Sequence, residues 1–198
     1  MTKPQRIPFV PIEDMPATAN PKTGHSSISR LMAHAPTVRP GYGQFIEAVF
    51  ARLSLDPMER ELAVLATLHL EGGEYQWAHH EVIGEALGVS PEQIAAIGRG
   101  EFDSPLFDAR QQTYLAFVRQ MVENVRVDDA TFAAAAKFFS SRELIETIFA
   151  AGNYMILARI TEVAQIPPDP PFGIESLRAA EAKVAAERSA EPQARGQA

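Results

Sequence analysis

The chain has 198 residues, of which 46% are hydrophobic and 22% are charged, a balance typical of a globular domain with a buried core. Its formal net charge of −7 argues against a nucleic-acid partner, whose phosphates require clustered basic residues, and the lack of cysteine excludes disulfides, thiolate metal sites and thiol redox chemistry. The first twenty residues carry four prolines instead of a signal peptide's apolar run, and no stretch approaches the ~18 apolar residues of a membrane span, so we expect a cytoplasmic protein without a membrane partner.

The elements predicted along the chain are all helical, because apolar residues recur at intervals of three and four without an alternating strand pattern. Residues 1–26 are expected to form an extended N-terminal arm, since their prolines interrupt any regular helix. A helical domain is predicted over residues 27–168, and a proline-led C-terminal tail with helical character over residues 169–198. The expected helices cover 27–35, a segment after Gly41 and Gly43, 57–70, 74–88, 91–98, 108–123, a segment from Asp128 and a long segment from Ser140.

Signals for helix starts and stops are clearest around the third and fourth predicted helices. Asp56 can accept hydrogen bonds from free backbone amides, and Pro57 suits the first turn of a helix. The pair Gly72-Gly73 then interrupts the helical pattern before Glu74 opens the next helix. These signals predict an antiparallel helical hairpin joined at the two glycines.

Glu61 interrupts the apolar face of the third helix, because it shares that face with Val64 and Leu68. A carboxylate at the head of an apolar stripe needs a partner or a wet cavity. The alternative is a glutamate at the helix start, turned towards solvent and favoured by the helix dipole. Spacing alone leaves both interpretations open.

His80 lies on one face of the fourth helix with Gln76 and Ile83, either as a hydrogen-bonded core residue or as part of a site. Antiparallel pairing of the two helices would leave Glu61 and His80 roughly 7 Å apart in height, at ~1.5 Å per residue. A long glutamate would cover part of that gap, and a bound water or substrate the rest. His79 is expected on a different face.

The start of the fourth helix is a candidate anion site, because the first backbone amides of a helix have no partner within it. Gly73, Glu74 and Gln76 are therefore candidate substrate-binding residues, and Trp77 is a candidate wall of the same pocket. The alternative is an ordinary turn between two helices.

The chain resembles the carboxymuconolactone decarboxylase family, which includes the alkylhydroperoxidase D-like proteins, in the stretches Arg60-Glu-Leu-Ala-Val-Leu-Ala and Gly73-Glu-Tyr-Gln-Trp-Ala-His-His80. The segments 86–94 and 152–159 are also similar to that family. The resemblance covers about residues 27–168. It implies an all-α, alkylhydroperoxidase D-like bundle built on a helical hairpin and assembled as a homo-oligomer, with a trimer or hexamer favoured.

The resemblance also implies roles for individual residues. In the peroxidase branch a Cys-x-x-Cys pair stands between a glutamate and a histidine; here Glu61 and His80 fall on the glutamate and histidine, while Gly73 and Gln76 fall on the two cysteines. A thiol peroxidase is therefore not expected. The decarboxylase branch is cofactor-free and acts on a carboxylated unsaturated lactone in the catabolism of aromatic compounds.

We therefore expect a cofactor-independent lyase, or a related proton-transfer enzyme, that acts on a small acidic substrate. His80 would donate the proton, Glu61 would orient or recharge His80, and backbone amides near Gly73 would hold a carboxylate or oxyanion. The alternative is a catalytically inert, homo-oligomeric binding or assembly protein whose pocket is filled by side chains. No cofactor is expected, and no metal, because His69, His79 and His80 match no strong ligand spacing.

Overall fold

A computed structural model of the chain describes residues 4–15, 26–167, 169–170, 174–175, 177–178, 181–182 and 185–186. Its elements are a 3-10 turn at Ile12–Asp14 and the helices α1 (Ser27–Met32), α2 (Arg39–Ala51), α3 (Pro57–Glu71), α4 (Glu74–Ala86), α5 (Pro91–Gly98), α6 (Ala109–Asn124), α7 (Asp129–Ala135) and α8 (Ser141–Ala164). Over these described residues there is no strand, which confirms the predicted all-α class. None of the helices in the described ranges has the length and apolar character needed to cross a bilayer.

Polar caps begin several helices at the positions where the sequence predicts them. Asp56 accepts hydrogen bonds from two backbone amides in the first turn of α3. Ser90, Asp108 and Ser140 each form a reciprocal capping box at the start of α5, α6 and α8. Such caps contribute about 1 kcal/mol each. At the other end of α3, Gly72 has a φ of 67°, a left-handed conformation that lacks a steric penalty only for glycine.

Two helix boundaries near the N-terminus differ from the prediction. The first helix ends at Met32 instead of continuing to position 35. α2 begins at Arg39 and contains Gly41 and Gly43, which were expected to precede it. Pro40 stands in the first turn of α2, where its missing N–H costs no hydrogen bond. Packing of α2 against α8 outweighs the low helix propensity of its glycines.

α3 is the central helix of the fold and packs against α4, α5, α6 and α8. All residues from Glu59 to Leu68 are buried. A helix buried on every side carries its polar side chains into the interior with its apolar ones, and those polar groups need partners there. The larger core cluster includes Leu62, Leu65, Ile97, Tyr114, Leu115 and Val118.

The described part of the N-terminal arm is attached to the helical domain. The backbone N–H of Arg6 donates to the carbonyl of Ala164 at the end of α8, at 2.8 Å. Arg30 on α1 donates to the carbonyl of Val10, and its guanidinium lies 4.8 Å from the centre of the Phe9 ring.

The C-terminal tail also contacts the domain at two points. Asp169 accepts hydrogen bonds from the backbone and hydroxyl of Ser27 on α1 and from the hydroxyl of Tyr75 on α4. Residues 174–175, 177–178, 181–182 and 185–186 are helical, and Leu177 is buried. Val184, part of the apolar stripe predicted for this tail, lies outside the described residues, as does everything after position 186.

Candidate active site

Glu61 points from α3 into the protein interior and is fully buried. Its Oε2 lies 2.6 Å from Nδ1 of His80 on α4, and its Oε1 accepts a hydrogen bond from Nε of Arg60 at 3.0 Å. The solvent-facing interpretation of Glu61 is therefore wrong. The bridging water or substrate expected between Glu61 and His80 is also not needed, because the two side chains together span the difference in height between their positions on α3 and α4.

The negative charge of Glu61 is stabilised by these two neighbours. Burial raises the pKa of Glu61, but attraction and hydrogen bonds from His80 and Arg60 outweigh it and hold that pKa below its ordinary value. An ionised Glu61 accepts the proton on Nδ1, which leaves Nε2 of His80 for other partners.

Arg60 belongs to the same cluster, although the sequence did not single it out as a site residue. Its guanidinium is buried, donates through Nη1 to the carbonyl of Phe50 and lies 5.6 Å from the centre of the Phe50 ring. Its position next to Glu61 in the family-like motif was the available signal. Arg60 therefore supplies the positive charge that a buried Glu61 requires.

Two aromatic rings fix the orientation of the His80 imidazole. Phe50 of α2 stacks on it at an interplanar angle of 14°, with ring centres 6.4 Å apart. Tyr154 of α8 meets it edge-on, with centres 4.5 Å apart. With Nδ1 directed at Glu61, the opposite nitrogen is the one that can reach a ligand.

His80 lines a cavity of about 210 Å³ between α1, α2, α4 and α8. This volume is below the ~300–1,000 Å³ typical of sites for drug-sized ligands, so it suits a small molecule. Of the described residues that line it, none is Lys, Arg, Asp or Glu. They are mostly apolar or aromatic: Ser26, Ile28, Ser29, Met32, Ile46, Phe50, Tyr75, Gln76, His79, His80, Ile83, Asn153, Tyr154 and Leu157.

Two buried side-chain amides stand in the wall of this cavity. The carbonyl oxygen of Gln76 accepts a hydrogen bond from the hydroxyl of Thr161 at 3.2 Å, and that of Asn153 accepts one from the hydroxyl of Tyr42 at 2.6 Å. Each amide is thereby oriented with its NH₂ group as the remaining donor, and no described protein group accepts from Nε2 of Gln76 or Nδ2 of Asn153. A buried donor without an acceptor costs about 1–3 kcal/mol, so these groups favour a ligand oxygen.

His79 also lines the cavity, so the expectation that it lies on a separate face is wrong. The cavity is wide enough to take in two adjacent positions of α4, which are separated by about 100° around the helix. Its ring packs edge-on against Tyr75 with centres 5.0 Å apart. Burial, together with the neighbouring His80, lowers the pKa of His79 to about 4, despite the opposing attraction of Asp169. His79 is therefore neutral at pH 7.

Gly73, Glu74 and Trp77 do not reach the cavity, and of the predicted substrate-binding residues Gln76 alone lines it. The N–H of Gly73 donates to the carbonyl of Leu68 at 2.9 Å, and that of Glu74 donates to the carbonyl two residues earlier at 3.0 Å. These two amides are therefore not available to the predicted anion site, because the turn itself uses them. Trp77 packs against Gly98, since it is rotated about 100° from Gln76 around the helix.

The part of the chain that the structure describes contains no group of three or more His, Cys, Asp or Glu residues placed to hold a metal ion. His69 packs edge-on against Phe102, with ring centres 5.8 Å apart, and is not among the residues that line the cavity.

Comparison with known proteins agrees with this architecture. Residues 36–105 match the model of the carboxymuconolactone decarboxylase family, and the resemblance predicted from the sequence is confirmed. This segment of the chain is similar to the carboxymuconolactone decarboxylase family, and the fold of the chain is AhpD-like. None of the curated proteins matches the chain.

Three solved structures share the AhpD-like fold at low sequence identity. An uncharacterized peroxidase-related protein from Silicibacter sp. TM1040 has a TM-score of 0.68 and 15% identity, over 87% of this chain and 98% of that one. An alkylhydroperoxidase AhpD core protein from Ralstonia eutropha JMP134 has a TM-score of 0.65 and 18% identity, over 74% and 78%. A protein of unknown function from Agrobacterium tumefaciens has a TM-score of 0.64 and 16% identity, over 70% and 95%.

At one of the two thiol positions of the peroxidase pattern, this chain has close neighbours and no side chain. Gly73 stands at the first cysteine position, and a Cβ there would lie 2.9 Å from Cδ2 of Leu68 and 3.0 Å from Cβ of Ala158. Any side chain at position 73 would therefore force its neighbours to move. Gln76 fills the second position and lines the cavity.

Proposed function

We propose that this protein is a cofactor-independent proton-transfer enzyme of the carboxy-lyase type, acting on a small organic acid such as a carboxylated unsaturated lactone. The observation that carries the proposal is the buried hydrogen bond between Glu61 and His80, 2.6 Å long, beside a cavity that His80 lines. A histidine paired with a carboxylate is a common arrangement for general acid–base catalysis.

The proposed reaction breaks the carbon–carbon bond to a carboxylate and releases CO₂. The electron pair left behind is delocalised onto an adjacent carbonyl oxygen as an enolate, and the enolate carbon then takes a proton. His80 in its protonated form gives that proton from Nε2, and water returns one to it. Glu61 holds Nδ1–H throughout and stabilises the charged imidazole.

Gln76 and Asn153 fit the role of oxyanion donors in this scheme. Their amide NH₂ groups are buried in the cavity wall and have no described protein acceptor. Donors fixed in a dry site stabilise developing negative charge more strongly than donors in water. They replace the backbone amides of Gly73 and Glu74 that the sequence predicted for this purpose.

The proposal is tested by screening unsaturated lactone carboxylates and β-keto acids for CO₂ release, followed by substitution of His80. His80→Ala should lower kcat by ~10²–10⁴, the usual cost of losing a general acid, out of proportion to any fall in Tm. His69→Ala is the matched control, because His69 packs against Phe102 away from the cavity. Full activity in His80→Ala, or equal losses in both variants, would contradict the proposed role.

A catalytically inert assembly protein is the second candidate, and the exposed apolar side chains of α8 favour it. Ile145, Phe149, Ile156 and Val163 are each 48–59% exposed. They follow one another at helical spacing on a single face, and such a surface is typical of a homo-oligomer interface. This candidate predicts no turnover on any acid in the screen. An oligomer is compatible with both candidates, so activity alone separates them.

A further inference from the structure

The cavity beside His80 offers little positive charge to a ligand. The described residues that line it include no Lys or Arg, and His79 is neutral at pH 7. Arg60 does not line the cavity and is already paired with Glu61. Among the described lining residues, His80 alone can therefore carry a positive charge, and Glu61 balances that charge.

The two amide donors of the cavity are both close to His80. Gln76 precedes it by one turn of α4, and Asn153 directly precedes Tyr154, whose ring contacts the imidazole. The two amide donors are thus placed around one position, that of the His80 imidazole. One carboxylate, or one carbonyl oxygen that becomes an enolate, fits these donors.

Apolar and aromatic side chains make up most of the remaining cavity wall, and its other polar groups, on Ser26, Ser29, Tyr75 and the neutral His79, carry no positive charge. Phe50, Ile83, Leu157 and Met32 come from four different helices and all line the cavity. A second carboxylate on a ligand would lie against these side chains without a cation. Burial of an unpaired carboxylate in such surroundings is strongly unfavourable.

We infer that the cavity selects a monocarboxylate with an apolar, ring-shaped body and rejects dicarboxylates. The inference rests on the proposed function for its chemistry, but the selectivity is a property of binding and is measurable without turnover. The inference narrows the substrate class to acids with one carboxylate. That carboxylate is then either the group that the reaction removes or the group that orients the substrate.

The test is isothermal titration of the full chain at pH 7 with benzoate and with isophthalate, which differ by one carboxylate on the same ring. Benzoate should bind, and isophthalate should bind at least about tenfold more weakly. Asn153→Asp replaces the amide donor by an anion of the same shape and should weaken benzoate binding by at least about tenfold. Gln76→Glu makes the same change on α4 if the first variant fails to fold.

Met32→Lys supplies the cation that the cavity lacks and should raise the affinity for isophthalate towards that for benzoate. Equal binding of the two probes, binding of neither at millimolar concentration, or unchanged benzoate binding in a folded Asn153→Asp or Gln76→Glu variant would overturn the inference. Selective benzoate binding without decarboxylation of any acid would uphold the inference and contradict the proposed function. Faster turnover of a dicarboxylate than of its monocarboxylate analogue would contradict the inference and uphold the proposed function.

Discussion

Glu61→Gln removes the negative charge from the buried cluster while keeping the size of the side chain. In the wild-type protein the two carboxylate oxygens bind Arg60 and His80. The variant leaves the guanidinium of Arg60, which is 4% exposed, without a counter-charge. Removal of one partner of a buried ion pair costs about 3–5 kcal/mol, which corresponds to a fall in Tm of about 6–20 °C for a protein of this size. Thermal unfolding at pH 7, followed by circular dichroism, measures it.

The double variant Arg60→Met/Glu61→Gln is the control for this prediction. It removes both charges and keeps the apolar volume of the arginine stem, so no guanidinium is left buried without a counter-charge. The double variant should therefore be more stable than Glu61→Gln alone. The coupling energy from the cycle should be about 1–3 kcal/mol.

The pH dependence of the same variant gives an independent check. Because the pKa of Glu61 is lowered in the folded protein, its contribution to stability is present above the unfolded-state pKa of about 4.3 and is lost as the pH falls through the folded-state value. The difference in unfolding free energy between wild type and Glu61→Gln should thus shrink as the pH falls below about 4.3. A Tm within about 2 °C of wild type at pH 7, or a difference that does not change between neutral and acid pH, would refute this account of the cluster.

Three further changes test other parts of the structure. Gly73→Ala should cost about 1–3 kcal/mol in thermal unfolding, because its Cβ would press on Leu68 and Ala158, and an unchanged Tm would contradict this. The lowered pKa of His79 means that the unfolded chain binds the extra proton between pH 6.5 and about 4, so wild-type stability falls as pH falls through that window. Urea titrations at several pH values should show that the unfolding free energy of His79→Leu depends less on pH than that of the wild type. The same pH dependence in both proteins would contradict this. Phe149→Asp, on the exposed face of α8, should reduce a homo-oligomer towards the 21.7 kDa monomer in light scattering, unless the wild type already has that mass.

The helix starts were largely predictable from the sequence because capping is a local interaction. Asp56, Ser90 and Ser140 each bond to amides within three residues, so their effect is visible without the rest of the fold. The start of α2 was not predictable in this way. Gly41 and Gly43 have low helix propensity, and contact with α8 decides the conformation of that segment.

The candidate site was predictable in its two central residues and not in its surroundings. Helical spacing and the family resemblance singled out Glu61 and His80, but spacing could not show that their side chains touch. Asn153 was missed because it becomes part of the site only when α8 folds across α4. A polar residue on an apolar stretch of α8 was the available signal, and its meaning depends on the packing of distant segments.

The difference in burial between α3 and the helices α1 and α2 predicts different rates of amide hydrogen exchange in these parts of the site. Residues 59–68 of α3 are buried throughout, so their amide hydrogens should exchange with solvent only when the whole domain unfolds. α1 and α2 form part of the cavity wall and bury few residues, namely Ser27, Leu31 and Val49. Their amides should exchange through small local openings. Such openings of α1 and α2 should leave the contact between the Glu61 carboxylate and the His80 imidazole intact.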